Sequence, residues 1–244
     1  MRHENRVNIL FHTFFIVITC SHLACSQAFN TAKVPIKPLV INNVWGYKNS
    51  IEADSNKQMV LLQQIIPQLV IDLKYCTESN FTHHILYKKN VAFGRLAMAT
   101  ALKKINTDLS QIGLGLKVFD AYRPYTVTKK MWKLVHDERY TANPANGSHH
   151  NRGVAIDVSL VNLSTGKELT MPTEFDDFTE KAHHSYMALP EEAIRNRSIL
   201  RKIMEKYGFL ALQTEWWHYS LPNPRQYELL DLSFEQLEKV VAEN

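Results

Sequence analysis

A chain of 244 residues, 45% hydrophobic and 21% charged, is long enough to bury one sizeable core without a second tethered domain. Its net charge of +4 is spread along the chain rather than gathered in basic blocks or interleaved with aromatics, which argues against a nucleic-acid partner. No internal repeat, low-complexity tract or glycine-serine linker divides it.

The amino terminus reads as an export signal over residues 1–26. Arg2 and Arg6 precede the apolar run ILFHTFFIVITC at residues 9–20, which is shorter than the roughly 20 residues a membrane-spanning helix requires. Ala24 and Ser26 supply the small side chains of a cleavage site, so the mature domain is expected at 27–244. The protein is then periplasmic or secreted; a lipid at Cys25 or an uncleaved anchor are the alternatives. Beyond the leader no segment predicts a membrane span. Cys20 and Cys25 fall within the leader, leaving Cys76 without a partner for an internal disulfide.

Further along, QQIIPQLVIDLKY at 63–75 predicts a strand after Pro67, and GRLAMATALKKINTDLSQI at 94–112 has the apolar spacing of a helix. LGLKVFDAY at 114–122 alternates as a strand, and Pro124 suits the first turn of a helix reaching about His136. GVAIDVSLVN at 153–162 is a second alternating strand, Ala193 to Tyr207 a helix stopped by Gly208, and FLALQTEWWHYSL at 209–221 has strand composition. Helices and strands do not alternate regularly, so the expected class is α+β: one domain with a mainly antiparallel central sheet flanked by helices.

The stretch GSHHNRGVAIDVSL at 147–160 places an aspartate among apolar and β-branched neighbours. Side chains sharing one zinc stand about 3 to 4 Å apart. Residues 150 and 157 would be roughly 23 Å apart in an extended strand and roughly 10 Å apart along a helix, so His150 and Asp157 meet only if the chain turns between them. Asn151, Arg152 and Gly153 suit that turn. Past it, Val154, Ile156 and Val158 face a core while Ala155, Asp157 and Ser159 face the other way, so Asp157 projects into a site. A catalytic zinc normally takes three protein ligands, and TEWWHYS at 214–220 offers His218 as the third, with Glu215 as a general base for the attacking water. Residues three apart lie on opposite faces of a regular strand, which predicts a bulge or bend near Trp216 and Trp217.

SHHNRGVAID, EWWH and the upstream DAYRP at 120–124, in this order, closely resemble the zinc D-alanyl-D-alanine dipeptidases of peptidase family M15, associated with vancomycin resistance and peptidoglycan turnover. The resemblance extends to DLKYCTESNF at 72–81 and MPTEFDDFTEKAHH at 171–184. It implies a Hedgehog/DD-peptidase-like fold and one zinc held by His150, Asp157 and His218, with His149 at a variable position. It further implies Glu215 as catalytic base, Arg123 as the cation that stabilises the oxyanion, and Ser148 and Asp176 lining the substrate pocket. Asp176 is the candidate for the dipeptide's ammonium; the alternative reading is that it, or the adjacent Asp177, is a solvated acid at a helix start. Two other functions stay open: a D,D- or L,D-carboxypeptidase trimming peptidoglycan peptides, which the export signal favours, and a non-catalytic zinc-bearing binding module, against which Glu215 and Arg123 speak.

Overall fold

Two neighbouring strands rich in β-branched and apolar residues organise the computed structural model, which describes Met1 and residues 38–243. The expected export signal and its cleavage site lie outside the described residues. From the amino-terminal side the elements are β1 (Val40–Ile41), α1 (Val44–Glu52), β2 (Met59–Leu61), α2 (Leu62–Ile65) and β3 (Val70–Ile71). Next come β4 (Phe93–Arg95), α3 (Leu96–Ser110), β5 (Leu114–Asp120), α4 (Tyr125–Leu134) and β6 (Ala155–Asn162). The chain closes with α5 (Glu191–Lys206), β7 (Leu210–Ala211), β8 (His218–Ser220), β9 (Leu229–Leu230) and α6 (Phe234–Ala242).

The central sheet has five strands in the order β3-β5-β6-β8-β7. Only β3 and β5 run parallel; the other neighbours are antiparallel. This is the expected α+β arrangement. β1 pairs with β9 and β2 with β4 in two small separate ribbons. α3 buries Met98, Ala99, Leu102, Ile105 and Leu109, the spacing of one helical face, and packs on β5. α5 covers β6 and β7 and stops before Gly208, whose φ of 86° is a left-handed conformation that glycine adopts without strain. Among the described residues no helix is long and apolar enough to cross a membrane.

β6 is buried on both faces from Ala155 to Val161, in keeping with an Asp157 that projects into a site. One expectation needs correction. The stretch 209–221 is a hairpin, with β7 and β8 separated by a turn, and not one strand. The strand expected after Pro67 is present as β3, two residues long, and the chain before Pro67 forms the helical turn α2.

Candidate active site

Register across three strands builds the floor of the site. Asp120 at the end of β5 stands opposite Asp157 of β6, which stands opposite His218 of β8. His150 enters from the preceding turn, a single 3-10 turn over His150–Arg152 that Gly153 ends at φ 69°. Gly153 is needed twice there: a Cβ would strain that φ and would meet Met59 Sδ at 2.8 Å. The turn predicted between the histidine and the aspartate is therefore present.

His150 Nδ1 lies 2.7 Å from the Ala121 carbonyl. A carbonyl only accepts, so Nδ1 carries the proton and Nε2 presents its lone pair to the cavity. That Nε2 is 3.2 Å from His218 Nδ1 and 3.5 Å from an Asp157 oxygen, while His218 Nδ1 is 2.9 Å from the other Asp157 oxygen. These separations are close to a first coordination shell, since nitrogen or oxygen ligands about 2.0 to 2.2 Å from one ion stand roughly 3.3 to 3.6 Å apart at the tetrahedral angle. Two imidazole nitrogens and a buried carboxylate thus fit a zinc-like ion in number, chemistry and spacing, with the Ala121 carbonyl fixing one ring from behind. Among the described residues no other group of three such side chains converges. Burial works to raise the Asp157 pKa, but attraction and hydrogen bonding from His150 and His218 outweigh it and hold the carboxylate below its usual range.

Of the bulge or bend expected near Trp216 and Trp217, the structure has the bend: a turn at these two residues brings Glu215 and His218 to one cavity. Glu215 sits in the β7–β8 turn, its N–H donating to the Leu212 carbonyl at 3.1 Å, and the His218 N–H donates to the Glu215 carbonyl at 3.3 Å. The turn rotates Glu215 onto the same side as the first residue of β8. Burial lifts the Glu215 pKa above the ordinary glutamate value, opposed by His218 and reinforced by Asp157. Trp216 and Trp217 are fully buried; Trp216 Nε1 donates to Thr173 Oγ1 at 2.9 Å, and Trp217 packs edge-on to Phe175. Trp217 walls the site, and Trp216 packs edge-on against it.

Arg123 faces the same cavity over the Tyr75 ring, with 5.2 Å between guanidinium and centroid. Its Nε and Nη2 donate to one Asp120 oxygen at 3.0 and 2.6 Å, and Tyr87 OH donates to the other at 2.8 Å. Burial disfavours the guanidinium charge, yet the Asp120 carboxylate overcompensates and keeps it protonated. Asp120 belongs to the DAYRP motif but carried no assigned role in the sequence; its signal was an acid three residues before the arginine. Tyr75, likewise unassigned, donates to Asp176 at 3.1 Å.

Asp176 lines the cavity and Asp177 does not. Asp177 accepts from the Thr179 N–H at 2.9 Å, a local turn contact. Asp176 adopts φ 62°, a left-handed conformation that aspartate tolerates better than most residues. Burial, and then the nearby Asp157, push its pKa well above the usual carboxylate value against the pull of the Tyr75 hydroxyl. Ser148 also lines the cavity, and its Oγ accepts from the His150 N–H at 3.2 Å, so it braces the turn as well. His149 lies 3.2 Å from Ser220 Oγ and does not join the cluster. His83, His84, His183 and His184 do not line the cavity either.

The cavity holds about 200 Å³. The segment between α4 and the His150 turn forms one side of its rim, where the Tyr140 ring rests 5.0 Å from that of Phe178 on the facing loop.

A convergent pair of imidazoles and a carboxylate, with a second acid and a fixed guanidinium around one cavity of an α+β domain, define the class: a metallopeptidase. Comparison with known proteins specifies it further. A family model, Peptidase M15, described as D-ala-D-ala dipeptidase, matches residues 55–236. The chain is 36% identical to the D-alanyl-D-alanine dipeptidase of Escherichia coli strain K12, over 71% of this chain and 89% of that one. It is 31% identical to the D-alanyl-D-alanine dipeptidase of Enterococcus faecalis strain V583, over 69% of this chain and 95% of that one. The chain belongs to the peptidase M15 family of D-Ala-D-Ala dipeptidases.

Proposed function

We propose that the protein is an exported, zinc-dependent dipeptidase that hydrolyses D-alanyl-D-alanine to two D-alanines in the metabolism of cell-wall peptides. The relatives' activity supports the substrate. One observation carries the reading: His150, Asp157, His218, Glu215, Arg123, Asp176 and Ser148 all line a single cavity of about 200 Å³, below the roughly 300 Å³ at which pockets for drug-sized ligands begin.

His150 Nε2, an Asp157 oxygen and His218 Nδ1 would hold the zinc. When bound, the ion supplies a Lewis acid that polarises a carbonyl and lowers the pKa of water toward neutrality. Glu215 takes a proton from the attacking water and hands it to the leaving amine, a task for which a pKa above that of ordinary glutamate is suited. Arg123, oriented by Asp120, presents a permanent cation to the oxyanion as it develops. Asp176, braced by the Tyr75 hydroxyl, receives the substrate's ammonium. Ser148 completes the pocket wall.

The purified protein, supplied with zinc, is tested on D-Ala-D-Ala and on a cell-wall pentapeptide beside Glu215→Ala. Turnover of the dipeptide alone is expected. Glu215→Ala should lower kcat by about 10²- to 10⁴-fold while one zinc per chain stays bound. Turnover of the pentapeptide in place of the dipeptide would make the protein a carboxypeptidase, and zinc binding without turnover of either would make it a binding module.

A further inference from the structure

The turn that carries His150 is joined to the strand end that carries Arg123 by three hydrogen bonds. His150 Nδ1 donates to the Ala121 carbonyl at 2.7 Å, and the Arg123 N–H donates to the His150 carbonyl at 3.2 Å. The third comes from Asn151, whose Nδ2 donates to the Arg123 carbonyl at 2.8 Å. The same amide donates to Thr128 Oγ1 on α4 at 2.8 Å, and its Oδ1 accepts from the Ser148 N–H at 2.9 Å. Asn151 and Thr128 are both fully buried. A buried amide with its acceptor and both donor hydrogens engaged is expensive to disturb, because any displacement leaves a polar group without a partner.

We propose that Asn151 is a positioning residue: its amide locks the His150 turn, the Arg123 backbone and α4 into one register, and so sets both the affinity for zinc and the placement of the guanidinium. This rests on the reading of His150 as a zinc ligand and Arg123 as the oxyanion cation. The sequence suggested only that Asn151 belongs to a turn. Its backbone is not in the left-handed region, which Gly153 alone supplies within that turn, so conformational tolerance does not explain an asparagine here. The three bonds of its side chain do. Asn151 touches neither the substrate cavity nor the three converging side chains, and it acts only through the groups that do.

Three quantities test this in full-length protein: the zinc dissociation constant by competition with a chromophoric chelator, the melting temperature of the metal-free form, and kcat and KM on D-Ala-D-Ala at saturating zinc. Asn151→Ala should weaken zinc binding by about 10- to 100-fold, the usual effect of losing a group that orients metal ligands. At saturating zinc its kcat should fall while KM stays close to that of the unmodified protein. Thr128→Val removes only the tie to α4; it should lower the melting temperature and weaken zinc binding by less than Asn151→Ala does. Should the alanine variant not fold, the isosteric Asn151→Asp keeps the acceptor for Ser148 and loses both donors, and it is read in the same way. A folded Asn151 variant with unaltered zinc affinity and kcat overturns the proposal. So does failure of both variants to fold with zinc present, which would assign the tie to the core instead of the site. Absence of zinc binding or dipeptide hydrolysis in the unmodified protein would instead refute the underlying reading.

Discussion

Arg123 and Asp120 form a buried ion pair to which the proposed mechanism gives work in both fold and chemistry. Arg123 is 8% exposed and Asp120 wholly buried, so removing the carboxylate strands a cation away from water. Asp120→Ala should therefore lower the unfolding free energy in urea by about 3–5 kcal/mol, and kcat should fall with it as the guanidinium loses its orientation. Unchanged kcat in the folded variant would show that Arg123 holds its place without help. Asp176 behaves in the opposite sense. Its pKa in the folded protein is raised by burial, with Asp157 adding to the effect, so ionising it costs stability as pH rises above about 3.9, the unfolded aspartate value, and costs nothing below that value. Asp176→Asn should accordingly raise the melting temperature of the metal-free protein at neutral pH, with the gain vanishing in acid. Hydrolysis of the dipeptide should be lost in the same variant, because an amide offers the ammonium no charge. A melting temperature that did not change with the substitution at neutral pH would contradict the assigned environment.

Among the elements, the β7–β8 turn and the rim segments matter most. Sequence periodicity covers residues 209–221 with one strand label because aromatic and β-branched residues suit either arm of a hairpin. The reversal at Leu212–Trp217 depends on backbone hydrogen bonds that composition does not report. Likewise the Tyr140 ring contacts Phe178 across the mouth of the cavity, a pairing of residues 38 positions apart that no local pattern announces. It is the rim contact expected to exclude a longer peptide. Tyr140→Ala should raise kcat/KM for the pentapeptide relative to the dipeptide by about tenfold or more, in the range of discrimination that hydrophobic pocket contacts provide. A constant ratio would remove Tyr140 from the determinants of substrate length.

At the scale of the whole molecule, His150, Asp157 and His218 converge from the turn before β6, the centre of β6 and the start of β8. A ligand that binds only the folded state adds stability by mass action, about 4.1 kcal/mol at a thousand times its dissociation constant. Treatment with a chelator should abolish activity and lower the melting temperature, and added zinc should restore both. Retention of activity after exhaustive chelation would leave the cluster without a catalytic ion.

The mixed class, the long helices and the two main strands were legible from periodicity, because each side chain's burial repeats with the geometry of its own element. Residue types and their spacing pointed to Asp157, His218 and Glu215, since few other side chains can carry this chemistry, and the family resemblance chose His150 over His149 and Asp176 for the ammonium. Only the tertiary structure gave Asp177 to a local turn contact, joined Asp120 to Arg123, and set Tyr140 beside Phe178 at the cavity rim. Those outcomes depend on strand register and on the direction of turns between segments far apart in the chain. Such long-range contacts leave no period in the local sequence.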